Sequence, residues 1–335
     1  MLLSKYITKP LIIVLLGLLV SSCSKFSKLM KSGDSEAKFE AAMKYYEKKD
    51  YYKAGQLFDD LLQTYRGTLR AEQVYYYYTY CKYHLAEIPT AAFHFRNFFE
   101  TYTNSQWAEE CYYMYAYCTY IEAYPYNLDP SYTYKAIDEF QLFVNVYPQS
   151  KYVDKCNQLI DECRGRLQLK AYKAAKLYYN IEDYKAAMVS FKNLLKDFPD
   201  LGEKEKEESE YLIIKAAYKY AEQSIDKKKK ERYGDVITSY NSYKETYPAG
   251  EYLSDAKSYA ERAQRRIEEL DFLNIVTEYE LADQGDQEKK SEAFTKVKKE
   301  LDDYIAKFPE GFYTKQAKKY AVKVQQKLTK LTPTN

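Results

Sequence analysis

The sequence predicts an all-α helical-repeat solenoid of about five to six helix pairs, and three observations carry that reading. An aromatic residue closes an apolar run at Tyr65, Tyr102, Tyr147, Phe198, Tyr247 and Phe308, and proline follows in four of these places (Pro148, Pro199, Pro248, Pro309). Eleven residues before each aromatic stand Ala54, Ala91, Ala136, Ala187, Val236 and Val297. Four residues on from these stand Phe58, Phe95, Phe140, Phe191, Tyr240 and Leu301, and seven on stand Leu61, Phe98, Phe143, Leu194, Tyr243 and Tyr304. A spacing of 0, 4, 7 and 11 is one face of a helix. The third observation is a duplication: "AEQVYYYYTYCKY" (71–83) and "AEECYYMYAYCTY" (108–120) match at eight of thirteen positions, offset by 37. Each aromatic corner therefore joins one helix to the next, and a repeat holds two helices.

In chain order, residues 1–22 read as an address. Lys5 and Lys9 give a positive start, Leu11 to Val20 is apolar but for Gly17, and small residues lead into Cys23. Ten apolar residues are too few to span a bilayer, so a cleaved signal peptide fits better than a membrane helix. The cysteine makes the segment resemble a bacterial lipoprotein signal, the plainer alternative being an ordinary signal with an incidental cysteine. That resemblance implies cleavage before Cys23 and acylation (palmitate among the chains) of its sulfur and new amino terminus. Ser24, rather than aspartate, favours the outer membrane by the sorting pattern of such lipoproteins. Residues 23–34 are then a lipidated linker, and no later segment repeats the apolar run.

The first repeat opens near Ser35, with Ala42 and Tyr45 on its small and aromatic positions. A small residue, an aromatic four on and a proline twelve on resemble the second half of a tetratricopeptide (TPR) repeat. Corner spacings of 37, 45, 51, 49 and 61 exceed the ideal repeat; the excess is assigned to a loop at 124–132, to lengthened first helices and to the polar stretch 282–290. At "NVYPQSKYVDKC" (145–156), proline disfavours helix at Tyr147 and Ser150 offers an N-cap for the next helix. The basic run "DKKKKERYGD" (226–235) reads as an exposed turn between helices. This organisation gives N-terminal TPR-like repeats over 35–180, later repeats over 181–280 and an extra C-terminal helical repeat over 281–335.

The composition narrows function. Removing the signal takes away Lys5 and Lys9 and no acid, so the formal net charge falls from +2 to zero, which argues against nucleic acid as a partner. Cys81, Cys111, Cys118, Cys156 and Cys163 form no CxxC or Cys/His metal spacing and read as small buried residues, with a bridge between neighbouring helices left open. The two histidines, His84 and His94, lie in helices beside aromatics, and no phosphate-binding glycine loop occurs. The expectation is no enzyme, no metal and no cofactor.

From Asp129 to Pro199 the chain is similar to the BamD family of TPR lipoproteins of the β-barrel assembly machine. "DPSYTYKAIDEFQLFVNVYPQSKYVDK", then "RGRLQLKAYKAAKLYYNIEDYKAA" and "LLKDFPD", follow that family's third and fourth repeats in order and length. The resemblance implies a non-enzymatic scaffold, lipid-anchored in the outer membrane through Cys23 and facing the periplasm. Its later repeats would bind the periplasmic domains of the barrel-forming subunit, and its earlier ones would receive unfolded outer-membrane proteins. Residues 281–335 exceed the usual family length. Two other readings are a periplasmic TPR scaffold coordinating envelope constriction, for which 24–34 is too short to hold the usual coiled coil, and a glycan-binding outer-membrane lipoprotein, for which a single tryptophan, Trp107, is sparse.

Two sets of residues follow. Lys185, Lys192 and Lys196 form one stripe opposite the apolar face of the fourth repeat's second helix and would dock an acidic partner; a plain solvated stripe is the alternative. On the first helices, the positions lining the concave side of a TPR fall on Tyr76, Tyr80 and Tyr83 and on Tyr113, Tyr117 and Tyr120, as a peptide groove. Tyr75, Tyr78, Tyr112 and Tyr115 fall on the buried side. A tyrosine ring with its hydroxyl suits an extended peptide with apolar side chains and free backbone groups; the alternative is that these rings pack on one another.

Overall fold

A computed structural model describes residues 25–331; the signal segment and Cys23 lie outside them. All regular structure among the described residues is helical. A short α1 (25–30) precedes α2 (Ser35–Glu47), α3 (Tyr51–Thr64), α4 (Ala71–His84), α5 (Ile88–Thr101), α6 (Ala108–Ile121), α7 (Ser131–Val146) and α8 (Val153–Asn180). There follow α9 (Tyr184–Asp197), α10 (Glu203–Glu222), α11 (Asp226–Thr246), α12 (Leu253–Gln284), α13 (Lys290–Lys307) and α14 (Thr314–Leu331). From α2 to α7 and from α9 to α14 each helix packs on the next, and α8 meets α9 through the Tyr172–Phe191 and Tyr179–Tyr184 ring contacts.

The two kinds of connection have separate causes. Within the pairs α2–α3, α4–α5 and α8–α9, the first helix ends on a left-handed residue: Lys49, Ala86 and Glu182 have φ of 60°, 59° and 65°. The next residue then donates back across the last turn, Asp50 N to Tyr45 O at 2.9 Å and Asp183 N to Tyr178 O at 3.0 Å, the double-looped C-cap of a Schellman motif. The same two aspartates start the second helix: Asp50 accepts from Lys53 N at 3.3 Å and Asp183 from Ala186 N at 3.0 Å.

Between pairs lies the aromatic corner. Tyr147, Phe198, Tyr247 and Phe308 each precede a proline and share φ between −127° and −123° with ψ between 64° and 71°, outside the α region that proline denies its predecessor. Two successive four-residue turns then carry the chain into the next helix, as in Ser150 N to Tyr147 O (3.0 Å) and Val153 N to Ser150 O (3.2 Å). Ser150 does not cap α8 directly. Its Oγ accepts from Tyr152 N at 3.1 Å, inside the turn, because two further residues separate it from the helix.

The repeated 0, 4 and 7 positions are all buried except Tyr240, which is half-buried. At the first pair, Gly55 lets α3 approach α4 so closely that a Cβ there would lie 3.3 Å from Cys81 Cβ. The chain forms two compact units that divide between Leu167 and Gln168, within α8. At the start of the first unit, Phe39, Leu57, Phe58, Leu61 and Val74 form a core, with Phe26 and Leu29 of α1 packed on it. The linker region is thus partly helical and joined to the first repeat. In the second unit one core gathers Phe191, Tyr211, Ile214, Tyr218, Val236 and Tyr243, and another gathers Phe272, Phe294, Val297, Leu301, Tyr304 and Val324.

The basic run is not a turn between helices. Residues 226–235 form the first turns of α11, held by Lys229–Asp226 (2.8 Å) and Lys228–Glu231 (2.7 Å) pairs along the helix and by Lys230 reaching Asp271 of α12. These opposite charges three apart neutralise the like-charge repulsion that a lysine run would otherwise bring to a helix.

Candidate functional site

In the first unit the tyrosines of α4 and α6 form two connected clusters. Around α4, Tyr76 stacks on Trp107 (centroids 5.1 Å apart), and its hydroxyl donates to Glu110 Oε1 at 3.1 Å. The Tyr80 hydroxyl donates to the same oxygen, and its ring meets Phe95 edge-on at 5.1 Å. Burial drives both phenols well above their ordinary pKa, with the Glu110 carboxylate adding to it. Tyr83 is half-buried over Phe95 at 6.4 Å, and no hydrogen bond ties its hydroxyl to another described residue.

Around α6, Tyr113, Tyr117 and Tyr120 are half-buried and form a ladder: Tyr113 stacks on Tyr117 at 6.0 Å and Tyr117 on Tyr120 at 5.9 Å. Tyr152 closes the far side of Tyr113 at 4.3 Å. Arg166 lies over the Tyr120 ring at 4.7 Å and donates to its hydroxyl at 2.8 Å, while that hydroxyl donates to Glu162. Hydrogen bonds from Tyr120 and Arg166 hold the Glu162 carboxyl below its usual range. Tyr78, Tyr112 and Tyr115 are buried and Tyr75 is half-buried. The hydroxyl-sharing Glu110 and the Glu162–Arg166 pair were not singled out from the sequence. Glu110 was visible only as the unmatched third residue of the duplicated "AEE" segment.

In the second unit, Lys185, Lys192 and Lys196 are exposed on α9, and among the described residues no carboxylate pairs with any of them. Val189, 51% exposed, sits in the same stripe at the intervening helical position. Leu177 and Ile181, on α8 and just beyond its end, are also exposed. The α9 stripe is cationic with Val189 set into it.

Elsewhere the side chains are occupied structurally. His84 stacks on Tyr51 at 4.1 Å and His94 Nδ1 lies 3.0 Å from the Tyr75 hydroxyl; burial lowers the pKa of both. The five described cysteines are buried free thiols, and burial pushes Cys81, Cys118 and Cys156 up to about 12, far from a nucleophilic thiolate. Among the described residues no group of three His, Cys, Asp or Glu converges as a metal site, and no helix is long and apolar enough to cross a membrane.

A family model described as an outer membrane lipoprotein, YfiO, matches residues 31–219, more than half of the chain. The chain belongs to the YfiO family of outer membrane lipoproteins. The match starts eight residues after Cys23 and ends inside α10, so α11 to α14 lie beyond it. No curated protein matches. Among solved structures, the complex of the TPR2AB domain of yeast Sti1 with pHSP90 aligns over 87% of this chain and 98% of its own, at 11% identity and a TM-score of 0.37.

Proposed function

We propose that this YfiO-family lipoprotein is a non-enzymatic, BamD-like scaffold of the β-barrel assembly machinery. It is anchored in the outer membrane by acylated Cys23, faces the periplasm, binds the periplasmic domains of the barrel-forming subunit and receives unfolded outer-membrane proteins. The observation that carries the reading is the family match over residues 31–219, which includes α4, α6 and α9, the helices that bear the tyrosines and the lysine stripe. The stripe Lys185–Val189–Lys192–Lys196 suits a partner face of acidic residues around an apolar one. Tyr83, Tyr113 and Tyr117, half-buried and without hydroxyl partners among the described residues, suit the alternating aromatic strand of a barrel protein before it folds.

The test is co-purification from detergent-solubilised outer membranes. The native chain is expected to recover a large barrel protein, and Lys185→Glu, Lys192→Glu and Lys196→Glu together are expected to lose it while unfolding stability stays within about 1 kcal/mol, as for ordinary surface changes. Full recovery by the triple variant overturns the docking surface; failure of the native chain to recover any barrel protein overturns the assembly role.

A further inference from the structure

One edge of the first unit collects most of its exposed aromatic side chains. Connections of three to nine residues join α2 through α7, and each of these helices packs on the next, so neighbours run antiparallel. The ends of α2, α4 and α6 therefore share an edge with the starts of α3, α5 and α7, and the corners 65–70 and 102–107 lie at the other. Tyr51, opening α3, stacks on His84, closing α4, at 4.1 Å, as that arrangement requires. Among the described residues of this unit eleven large apolar side chains are exposed, and all but Leu69, Leu142 and Val146 sit within two turns of this edge. Tyr52 of α3 and Phe93 of α5 are two of them, and the other six belong to the α6–α7 connection and its flanks. That connection takes nine residues (122–130) where α2–α3 and α4–α5 take three each. It is held in one shape all the same. Arg166 Nη1 donates to Ala123 O at 3.2 Å, Leu128 N to Pro125 O at 3.0 Å, Ser131 N to Asp129 Oδ1 at 2.9 Å and Tyr134 N to Pro130 O at 3.0 Å. Tyr124, Tyr132 and Tyr134 are left 54%, 41% and 53% exposed, and residues 119–134 hold no lysine or arginine.

We infer that this edge rests on the lipid surface, with the α6–α7 loop setting its tyrosine rings into the headgroup layer. The inference rests on the acylation of Cys23 proposed above, because the chain enters the fold at the same edge. Phe26 of α1 meets Tyr45, in the last turn of α2, edge-on at 5.8 Å, and Lys53, in the first turn of α3, lies over the Tyr45 ring at 5.2 Å. Three residues of chain span at most about 11 Å, which bounds how far Cys23 can stand from Phe26. That tether is shorter than the roughly 30 Å diameter of a small domain, so a folded partner does not fit between this edge and the bilayer. Tyrosine suits the boundary because its ring is apolar while its hydroxyl stays bonded to headgroups or water. Lys48 and Lys49, exposed in the α2–α3 turn, bring ammonium groups on flexible stems to lipid phosphates at the same edge. Asp129, an exposed carboxylate of the loop, limits the depth: it stays with water, so the rings reach the headgroups and not the hydrocarbon.

The experiment places the full acylated chain in vesicles of phosphatidylethanolamine and phosphatidylglycerol whose headgroups carry nitroxides, which quench nearby tryptophan emission. Trp107, at the corner edge, is the internal reference and is expected to keep its emission. Tyr124→Trp should add an emission that the nitroxides largely remove, and Tyr132→Trp repeats the measurement from the far end of the loop. Leu69→Trp, on an exposed side chain of the corner edge, should add an emission that they leave. Thermal midpoints equal to that of the native chain check that the variants fold. Flotation of the native chain with the vesicles reports the anchor separately. A chain that does not float overturns the acylation of Cys23 and this inference with it. A chain that floats with the loop variants unquenched, or with loop and corner variants quenched alike, overturns this inference alone. A blue shift of the unquenched loop emission on adding urea-unfolded outer-membrane protein would assign the edge to a polypeptide instead.

Discussion

His94 shows how a single side chain records its surroundings. Its ring is edge-on to Tyr75, Tyr78 and Phe93 at centroid distances of 5.7, 5.0 and 5.2 Å, and the Tyr75 hydroxyl meets Nδ1. Burial lowers its pKa below 6.5, Lys82 lowers it further and Asp59 opposes them. The folded chain therefore holds a neutral imidazole, while the unfolded chain binds the proton as pH falls through 6.5, so this residue makes stability rise with pH. Its contribution is complete above the unfolded pKa and is lost as pH falls toward the depressed folded value. His94→Asn keeps an acceptor for Tyr75 without a titrating group. Urea midpoints at pH 7.5 and pH 5.5 should fall less with acid in the variant than in the native chain; an identical fall in both would mean that His94 is not coupled to folding.

Among the elements, the corner is the recurrent device, and a glutamate on the preceding first helix secures it. Glu207 of α10 accepts from the Tyr243 hydroxyl at 2.6 Å and from Tyr252 N at 3.3 Å, and Glu268 of α12 accepts from Phe312 N at 2.9 Å. Glu109 of α6 does the same for Ser150, and Glu36 of α2 for Arg70 and Tyr65. Glu207→Ala leaves the buried Tyr243 hydroxyl and a turn N–H unsatisfied, so it should destabilise the chain by about 1–3 kcal/mol. Glu207→Gln keeps an acceptor and should cost less, with amide exchange of 247–253 accelerated only in the alanine variant. A loss below the scatter of surface substitutions would show that water replaces the glutamate. The helix faces and corners were legible in the sequence because their causes are local: a 3.6-residue period, and a proline acting on its predecessor. The glutamates were not, since Glu207 and Tyr252 are 45 residues apart and no short-range pattern joins them. The same limit applies to the basic run, where part of what holds 226–235 helical is Asp271, 41 residues from Lys230. It applies again to the tyrosines: periodicity placed Tyr76 and Tyr80 on one face, but only the fold brings Glu110 to both hydroxyls.

For the whole molecule the open question is what holds it to a membrane. Without residues 1–22 the formal net charge is zero, so no bulk attraction to an anionic lipid surface is available. None of the described helices is long and apolar enough to span one. With Cys23 acylated as proposed, each chain contributes roughly 0.8 kcal/mol per buried methylene, so that two or more would hold firmly where one does not. The proposed anchor residue is also close in sequence to the fold: Phe26 of α1 packs edge-on against Tyr45 at 5.8 Å. Three residues of even fully extended chain reach no more than about 11 Å, so the proposed anchor would keep the first repeat at the membrane surface. Cys23→Ser removes the acceptor sulfur without touching any described residue. The variant should either keep its signal segment or appear in the soluble fraction, and it should no longer incorporate labelled palmitate. Normal cleavage with palmitate label and outer-membrane fractionation retained would place the anchor elsewhere in the chain.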